Sequence, residues 1–108
     1  MTVASNSSGS QTATIGTEHT LATIAAAGVY VLAVDTSAMV NGDALELRAK
    51  TKTKSGSASR VAYFVTYAHV QGEPNKYSVP VPVDTEVTFT LKQTAGAGRA
   101  FDWNILAL

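Results

Sequence analysis

The sequence contains no cysteine and few charged residues. Only 15% of its 108 residues are charged, and 8 Lys plus Arg balance 8 Asp plus Glu. Without cysteine, a disulfide framework, thiolate catalysis and thiolate metal ligation are all excluded. A formal net charge of zero provides no overall field that would steer the chain towards nucleic acid or an anionic membrane. We therefore expect no nucleic-acid partner, and stability must come from packing or from partners.

Long apolar runs are absent as well. No window of the sequence reaches the ~18 apolar residues of a membrane span. The first 16 residues, MTVASNSSGSQTATIG, lack the basic start and the apolar core of a secretion signal. We therefore expect a soluble protein that is made in the cytoplasm and has no membrane partner.

What the sequence does have is alternation of apolar and polar residues, which is typical of β-strands. The alternating runs are GVYVLAVD, DALELRAKTKTK, SRVAYFVTYAHV, KYSVPVPV, EVTFTLKQ and RAFDWNILAL, and the run HTLATIAAAG forms either a strand or a helical turn. Six or seven strands at this spacing predict an all-β domain over residues 17–108. Its predicted architecture is an antiparallel β-sandwich, either jelly-roll-like or immunoglobulin-like.

Two of these runs have a predicted place in the sheets. SRVAYFVTYAHV is apolar on both faces, which predicts a central strand that is covered on both sides. KYSVPVPV sets Tyr77, Val79, Val81 and Val83 against Ser78, Pro80 and Pro82. Because proline cannot donate a ladder hydrogen bond, this run is predicted at a sheet edge. Between two strands, Asp35, Thr36 or Ser37 is expected to cap a short helical turn that carries the chain from one sheet to the other.

The N-terminal segment, residues 1–16, is predicted to be a flexible arm. It has no charged side chain and is dense in Ser, Thr, Asn and Gly, a composition that cannot bury much apolar surface. It is either a disordered tail or an arm that orders only against a partner. The candidate assembly residues in this arm are Thr2, Val3, Gln11, Thr12 and Ile15.

No residue pattern indicates catalysis or a cofactor. His19 and His69 are the only histidines, and their spacing does not place two ligands on one metal. Nothing selects a pair of carboxylates for acid–base work, and no GxSxG motif is present. AGAGRAF lacks the helix and the acidic residue of a dinucleotide site and is predicted to be a flexible turn. A non-enzymatic protein without cofactor or metal is the prediction.

One local feature stands out, a row of cations. Five of the eight cations fall within 13 residues: Arg48, Lys50, Lys52, Lys54 and Arg60. The row is interpreted as the solvated face of a strand, as a contact with an acidic protein partner, or as a polyanion site. No aromatic residue lies between Arg48 and Arg60, which argues against nucleic-acid binding by stacking.

Three blocks resemble a family of small structural proteins encoded among the virion genes of tailed bacteriophages. They are TEHTLATIAAAGVYVLAVDTSAMVNGDALELR, AYFVTYAHVQGEPNKYSVPVPV and FTLKQTAGAGRAFDWNIL, and together they span residues 17–106. The resemblance implies a β-rich virion component, first of all a capsid decoration or cement protein on the capsid surface. It also implies the major capsid protein as partner, synthesis in the host cytoplasm and a homo-oligomer, for which a trimer is one form compatible with the resemblance.

Two alternatives stay open at this point. One is a tail or neck structural protein of the virion. The other is a receptor- or carbohydrate-binding module of a head fibre or tail, and such a module would expose aromatic side chains. The alternation instead predicts inward positions for five aromatic residues, namely Tyr30, Tyr63, Tyr67, Tyr77 and Trp103.

Overall fold

The computed structural model describes residues 2–108, which contain nine β-strands and no helix. The strands are β1 (Ala4–Thr12), β2 (Glu18–Ile24), β3 (Gly28–Asp35), β4 (Ala44–Thr51), β5 (Arg60–Ala68), β6 (Asn75–Tyr77), β7 (Val81–Val83), β8 (Val87–Ala95) and β9 (Ala100–Ala107). The prediction of an all-β domain is confirmed, and the ambiguous run HTLATIAAAG forms a strand.

The strands form two antiparallel sheets that pack as a sandwich. Sheet A has the order β1-β9-β3-β6, with β7 also paired to β3, and sheet B has the order β2-β8-β4-β5. Strands β6 and β7 pair with opposite ends of β3 and are two halves of one interrupted strand. Apart from the β4–β5 hairpin, each connection then crosses between sheets. This is the jelly-roll arrangement, one of the two architectures predicted.

The core is built from the inward side of each alternating strand. In β4 the inward residues Leu45, Leu47 and Ala49 are buried, as predicted. Phe89 of β8 and Phe101 of β9 are fully buried. Burial of each of these two side chains contributes about 2 kcal/mol to stability. Strands β3, β4, β7, β8 and β9 each supply two or more buried residues of the core.

Strand β5 differs from its prediction as a central strand. It lies at the edge of sheet B and pairs only with β4. Its inward residues Tyr63, Val65 and Tyr67 pack against the core, whereas Phe64 on the other face is 50% exposed. The apolar residues on both faces therefore do not indicate a strand covered on both sides.

The prolines lie at a sheet edge, as predicted, but the alternation of this segment reverses. Ser78 exchanges hydrogen bonds with Leu32 and is buried, and Val81 is the next residue paired, with Tyr30. Two residues, Val79 and Pro80, thus oppose one residue of β3. Such a bulge shifts the side-chain period by one residue. Val81 and Val83 point inward in consequence, while residue 77 points outward.

The N-terminal segment does not form the predicted flexible arm. Residues 4–12 form β1 and pair with β9 from Ala4↔Ala107 to Thr12↔Ala100, while Met1 lies outside the described residues. Most side chains of β1 are exposed. The polar composition of residues 1–16 does not indicate this strand, because an edge strand can join a sheet through its backbone hydrogen bonds and needs little apolar surface.

The connection between β3 and β4 carries the chain from one sheet to the other, as predicted, but it contains a turn and no helix. Asp35 Oδ1 accepts a hydrogen bond from the Ser37 backbone N–H at 2.9 Å. The Met39 N–H then donates to the Thr36 carbonyl at 3.0 Å, closing a single turn, and Met39 is buried. A turn of four residues, with no helix, carries the chain from sheet A to sheet B.

Candidate functional site

The predicted cationic row lies on the outer face of sheet B and in the loop beyond it. Arg48 and Lys50 belong to β4, on the face opposite its buried leucines, and Lys52 follows the strand. Lys54 lies in the β4–β5 loop, and Arg60 begins β5. The structure therefore divides the row into a part on the sheet and a part at the tip of the hairpin.

The three cations on or next to β4 are paired with acids. The N–O distances are 2.9 Å for Arg48–Glu46, 2.6 Å for Lys50–Glu18 and 2.9 Å for Lys52–Glu86. The hydrogen bond from Lys50 lowers the pKa of Glu18 below its usual value. Each pair is partly exposed, so each contributes less than about 1 kcal/mol to stability. Their main consequence is that the middle of the row is close to neutral.

The hairpin tip keeps its positive charge. Lys54 and Arg60 are exposed and have no salt-bridge partner within residues 2–108. Beside them on β5, Val61 and Phe64 are 52% and 50% exposed. We call this combination of Lys54 and strand β5 the β5 edge.

An aromatic residue does accompany the cationic row, although none lies between Arg48 and Arg60 in the sequence. Phe64 is paired with Arg48 in the β4–β5 ladder, and the Arg48 guanidinium carbon lies 4.6 Å from the centre of the Phe64 ring. This is a cation–π contact. Only the strand pairing brings it about, because the two residues are 16 positions apart in the sequence.

A buried polar cluster ties the predicted flexible turn AGAGRAF to the sandwich. Asp43 Oδ2 accepts from Arg99 Nε at 2.9 Å and from the Val40 N–H at 3.0 Å. The buried Gln93 donates to carbonyls within the loop 95–97 and accepts from the Arg99 N–H. The Asp43 carboxylate and the Gln93 amide are thus satisfied by the chain itself, and the cluster has a structural role.

The two histidines are likewise engaged with the backbone. The Thr14 N–H donates to His19 Nε2 at 3.0 Å, and the Gly42 N–H donates to His69 Nδ1 at 2.9 Å. Residues 2–108 contain no group of three or more His, Cys, Asp or Glu side chains that could hold a metal ion. The histidine contacts therefore position turns.

The outer face of sheet A carries a groove of about 240 Å³. Six side chains on this face line it: Ala33, Asp35, Asn75, Tyr77, Asp102 and Asn104. Ala33 is paired with Tyr77 on one side and with Asn104 on the other. The small side chain of Ala33 forms the floor, and the larger neighbours form the walls.

Among the lining residues, Tyr77 lies on the opposite face from the one its sequence pattern predicts. It was predicted inward but is 60% exposed, because the bulge at Val79 and Pro80 separates its register from that of Val81. Of the other four aromatics predicted inward, Tyr30 is buried, and Tyr63, Tyr67 and Trp103 are partly buried against the core. The local alternation could not locate the bulge.

A second, wider depression of about 510 Å³ lies at the end of the sandwich where β3 and β7 meet the end of β4. Thr51, Lys52, Thr53 and Asp84 contribute its polar side chains, and Lys52 is already paired with Glu86. No aromatic residue lines it. The groove with Tyr77 is therefore the stronger candidate for a small ligand.

The candidate assembly residues of the N-terminus are distributed along β1 and its flanks. Thr2 and Val3 are exposed ahead of β1. Gln11 and Thr12 end the strand, and Ile15, which is 41% exposed, lies in the turn that follows. These residues do not form one continuous arm.

Comparisons with known proteins give no family assignment. No protein-family model, no curated protein and no solved structure matches this chain. Among residues 2–108 there is no helix long and apolar enough to cross a membrane. A functional hypothesis must therefore rest on the surfaces described above and on the resemblance found in the sequence.

Proposed function

We propose that this chain is a non-enzymatic structural protein of a tailed-phage virion, and more specifically a capsid decoration or cement protein. In this role it binds the major capsid protein on the outer surface of the capsid. The sequence resemblance over residues 17–106 is the first support. The jelly-roll arrangement is a second support by analogy of fold alone, since viral capsid domains use it alongside lectins and other proteins.

The observation that carries this proposal is the β5 edge. Its strand is nine residues long and pairs with β4 on one side only. It exposes Val61 and Phe64 beside the unpaired cations Lys54 and Arg60. An edge strand with apolar side chains and local positive charge is suited to strand addition by an acidic segment of a protein partner.

The other edges are less suited to strand addition. Strand β1 has an irregular register between Ser5 and Ser7, and β2 has one between Thr20 and Ala22. The β6–β7 edge is broken by its bulge and carries exposed prolines. Bulges and prolines discourage pairing with another chain. Strand β5 has one irregularity as well, close to its start like that of β1. It differs from β1 in exposing the large apolar side chains of Val61 and Phe64, whereas β1 exposes none.

The copy number in purified particles tests the proposal directly. Quantitative mass spectrometry of the phage that encodes this chain should give a copy number close to that of the major capsid protein. A copy number that is a small fraction of it would instead favour a neck or tail protein. Complete absence from particles would exclude a virion role.

Charge reversal tests the β5 edge itself. The double variant Lys54→Glu with Arg60→Glu should cosediment with capsids less than wild type at low salt, and less clearly at high salt because of screening. Lys50→Glu with Lys52→Glu changes the net charge equally but alters cations that are already paired. Equal loss in both double variants would contradict a specific role of the β5 edge.

A further inference from the structure

The groove on the outer face of sheet A has the features of a small binding site that the decoration role does not require. Ala33 forms its floor between Tyr77 and Asn104, and Asp35 is paired with Asn75 in the adjoining row of the sheet. Asp102 precedes Asn104 on the same face of β9. An aromatic ring, two carboxylates and two amides therefore converge above one small residue.

The Tyr77 ring is the apolar element of this groove. It is 60% exposed and occupies β6 at the rim of the sheet, where it makes one wall. A large exposed aromatic side chain beside polar groups can cover the apolar face of a ligand while its neighbours hold the ligand's polar edge. A pyranose ring has such a face, made of C–H groups, and a rim of hydroxyl groups.

The polar side chains provide both acceptors and donors. Asp35 Oδ1 accepts from the Ser37 N–H, and a carboxylate, with about four acceptor positions, can accept further hydrogen bonds. Asn104 accepts from the Ser5 hydroxyl with Oδ1 at 2.6 Å, which leaves its amide N–H groups available. Asp102 and Asn75 are exposed. Hydroxyl groups, which both donate and accept, match such a mixed set.

The charge of the groove restricts the ligand further. Its lining contains two carboxylates and no Lys or Arg side chain. The neighbouring Lys76 instead lies 5.1 Å from the Tyr67 ring centre, so its charge is directed elsewhere. Anionic ligands are therefore disfavoured by like-charge repulsion.

We propose that this groove binds a single neutral or amino-sugar unit of a polysaccharide, with the sugar ring stacked on Tyr77 and its hydroxyls bonded to Asp35, Asp102 and Asn104. The volume of about 240 Å³ is smaller than the ~300–1,000 Å³ of pockets that enclose drug-sized ligands, which limits the ligand to about one sugar unit. This site is independent of the β5 edge, which lies on the other sheet.

An NMR titration of the full chain tests the site. The probes are the methyl glycosides of glucose, galactose, N-acetylglucosamine and glucosamine, with N-acetylneuraminic acid as the anionic comparison. We expect at least one uncharged or amino sugar to shift the backbone amide signals of Ala33, Tyr77 and Asn104, with millimolar affinity. N-acetylneuraminic acid should leave these signals unchanged.

Two variants distinguish a specific site from weak surface adhesion. Tyr77→Ala should bind the sugar roughly tenfold more weakly, and Asp102→Ala, which keeps the ring, should also bind it more weakly. Phe64→Ala removes the exposed aromatic side chain on the other sheet and should leave sugar binding unchanged. The proposal is overturned if no sugar shifts these signals, if Tyr77→Ala binds as tightly as wild type, or if the anionic sugar binds best.

Discussion

The Arg99 Nε atom lies 2.9 Å from Asp43 Oδ2, and this ion pair fastens the β8–β9 loop to the start of β4. The Asp43 side chain is 1% exposed and that of Arg99 is 29% exposed. The pair joins residues 56 positions apart. Together with the hydrogen bonds of Gln93, it ties the glycine- and alanine-rich segment AGAGRAF to the sandwich.

Gly96 of this loop is predicted to tolerate no side chain without a loss of stability. Its φ angle is 90°, and a Cβ atom added there would overlap the Asp43 carboxylate. Gly56→Ala is the matched control, because Gly56 has a φ of 87° and open space around it. We expect a loss of about 1 kcal/mol for Gly56→Ala and about 3 kcal/mol for Gly96→Ala. Equal losses in urea unfolding would show that the carboxylate does not restrict this position.

Stability should fall in acid through Asp43. Arg99, and secondly the Val40 N–H, lower the pKa of Asp43 below its usual value. The unfolded chain therefore binds more protons than the folded chain as the pH falls below about 4, and the contribution of this carboxylate is complete at neutral pH and lost in acid.

The Asp43→Asn variant tests this pH dependence. It should be less stable than wild type at neutral pH, and the difference in the free energy of unfolding should shrink as the pH falls through the lowered pKa. Asp84→Asn removes an exposed carboxylate and serves as the control. A difference between Asp43→Asn and wild type that is constant over the acid range would contradict the assignment.

Deletion of residues 1–16 is predicted to destabilise the sandwich. It removes β1, leaves one edge of β9 unpaired, and removes Ala13, which is buried and donates its N–H to the Arg99 carbonyl. We expect a loss of more than about 2 kcal/mol. Deletion of residues 1–3 alone should leave thermal stability unchanged, since Thr2 and Val3 precede the strand. If both deletions melt like wild type, β1 does not contribute to the fold in solution.

Deletion of residues 1–3 also tests whether the N-terminus contacts the capsid. Because it leaves β1 intact, any loss of capsid binding by the chain lacking residues 1–3 would reflect a contact made by the terminus. Unchanged binding would exclude Thr2 and Val3 as assembly residues.

Lys50 and Lys54 are predicted to respond differently to charge reversal. Lys50 Nζ lies 2.6 Å from Glu18 Oε2, so Lys50→Glu would replace this ion pair with two adjacent carboxylates. We expect the free energy of unfolding to fall by roughly 1 kcal/mol at low salt. Lys54→Glu, in the exposed loop, should have no measurable effect. Urea unfolding at low and high salt checks both, and an equal effect of the two variants would show that the Lys50–Glu18 pair does not contribute to stability.

The sequence by itself determined the fold class and most of the core. Alternation with a period of two is a local property, and burial of one face follows from it wherever the register is unbroken. The inward residues Leu45, Leu47 and Phe89 could therefore be predicted, and the prolines correctly indicated an edge.

Only the tertiary structure decided which strands are edges and which side chains meet across them. The composition of β5 resembles that of a central strand and that of β1 resembles a flexible tail, yet both are edges, because strand neighbours depend on long-range pairing. The ion pair of Lys50 with Glu18, the contact of Arg48 with Phe64 and the outward position of Tyr77 have the same origin. One extra residue in a ladder reverses the face of the side chains beyond it. A pairing partner that is distant in sequence decides which side chains meet, and neither leaves a local signal.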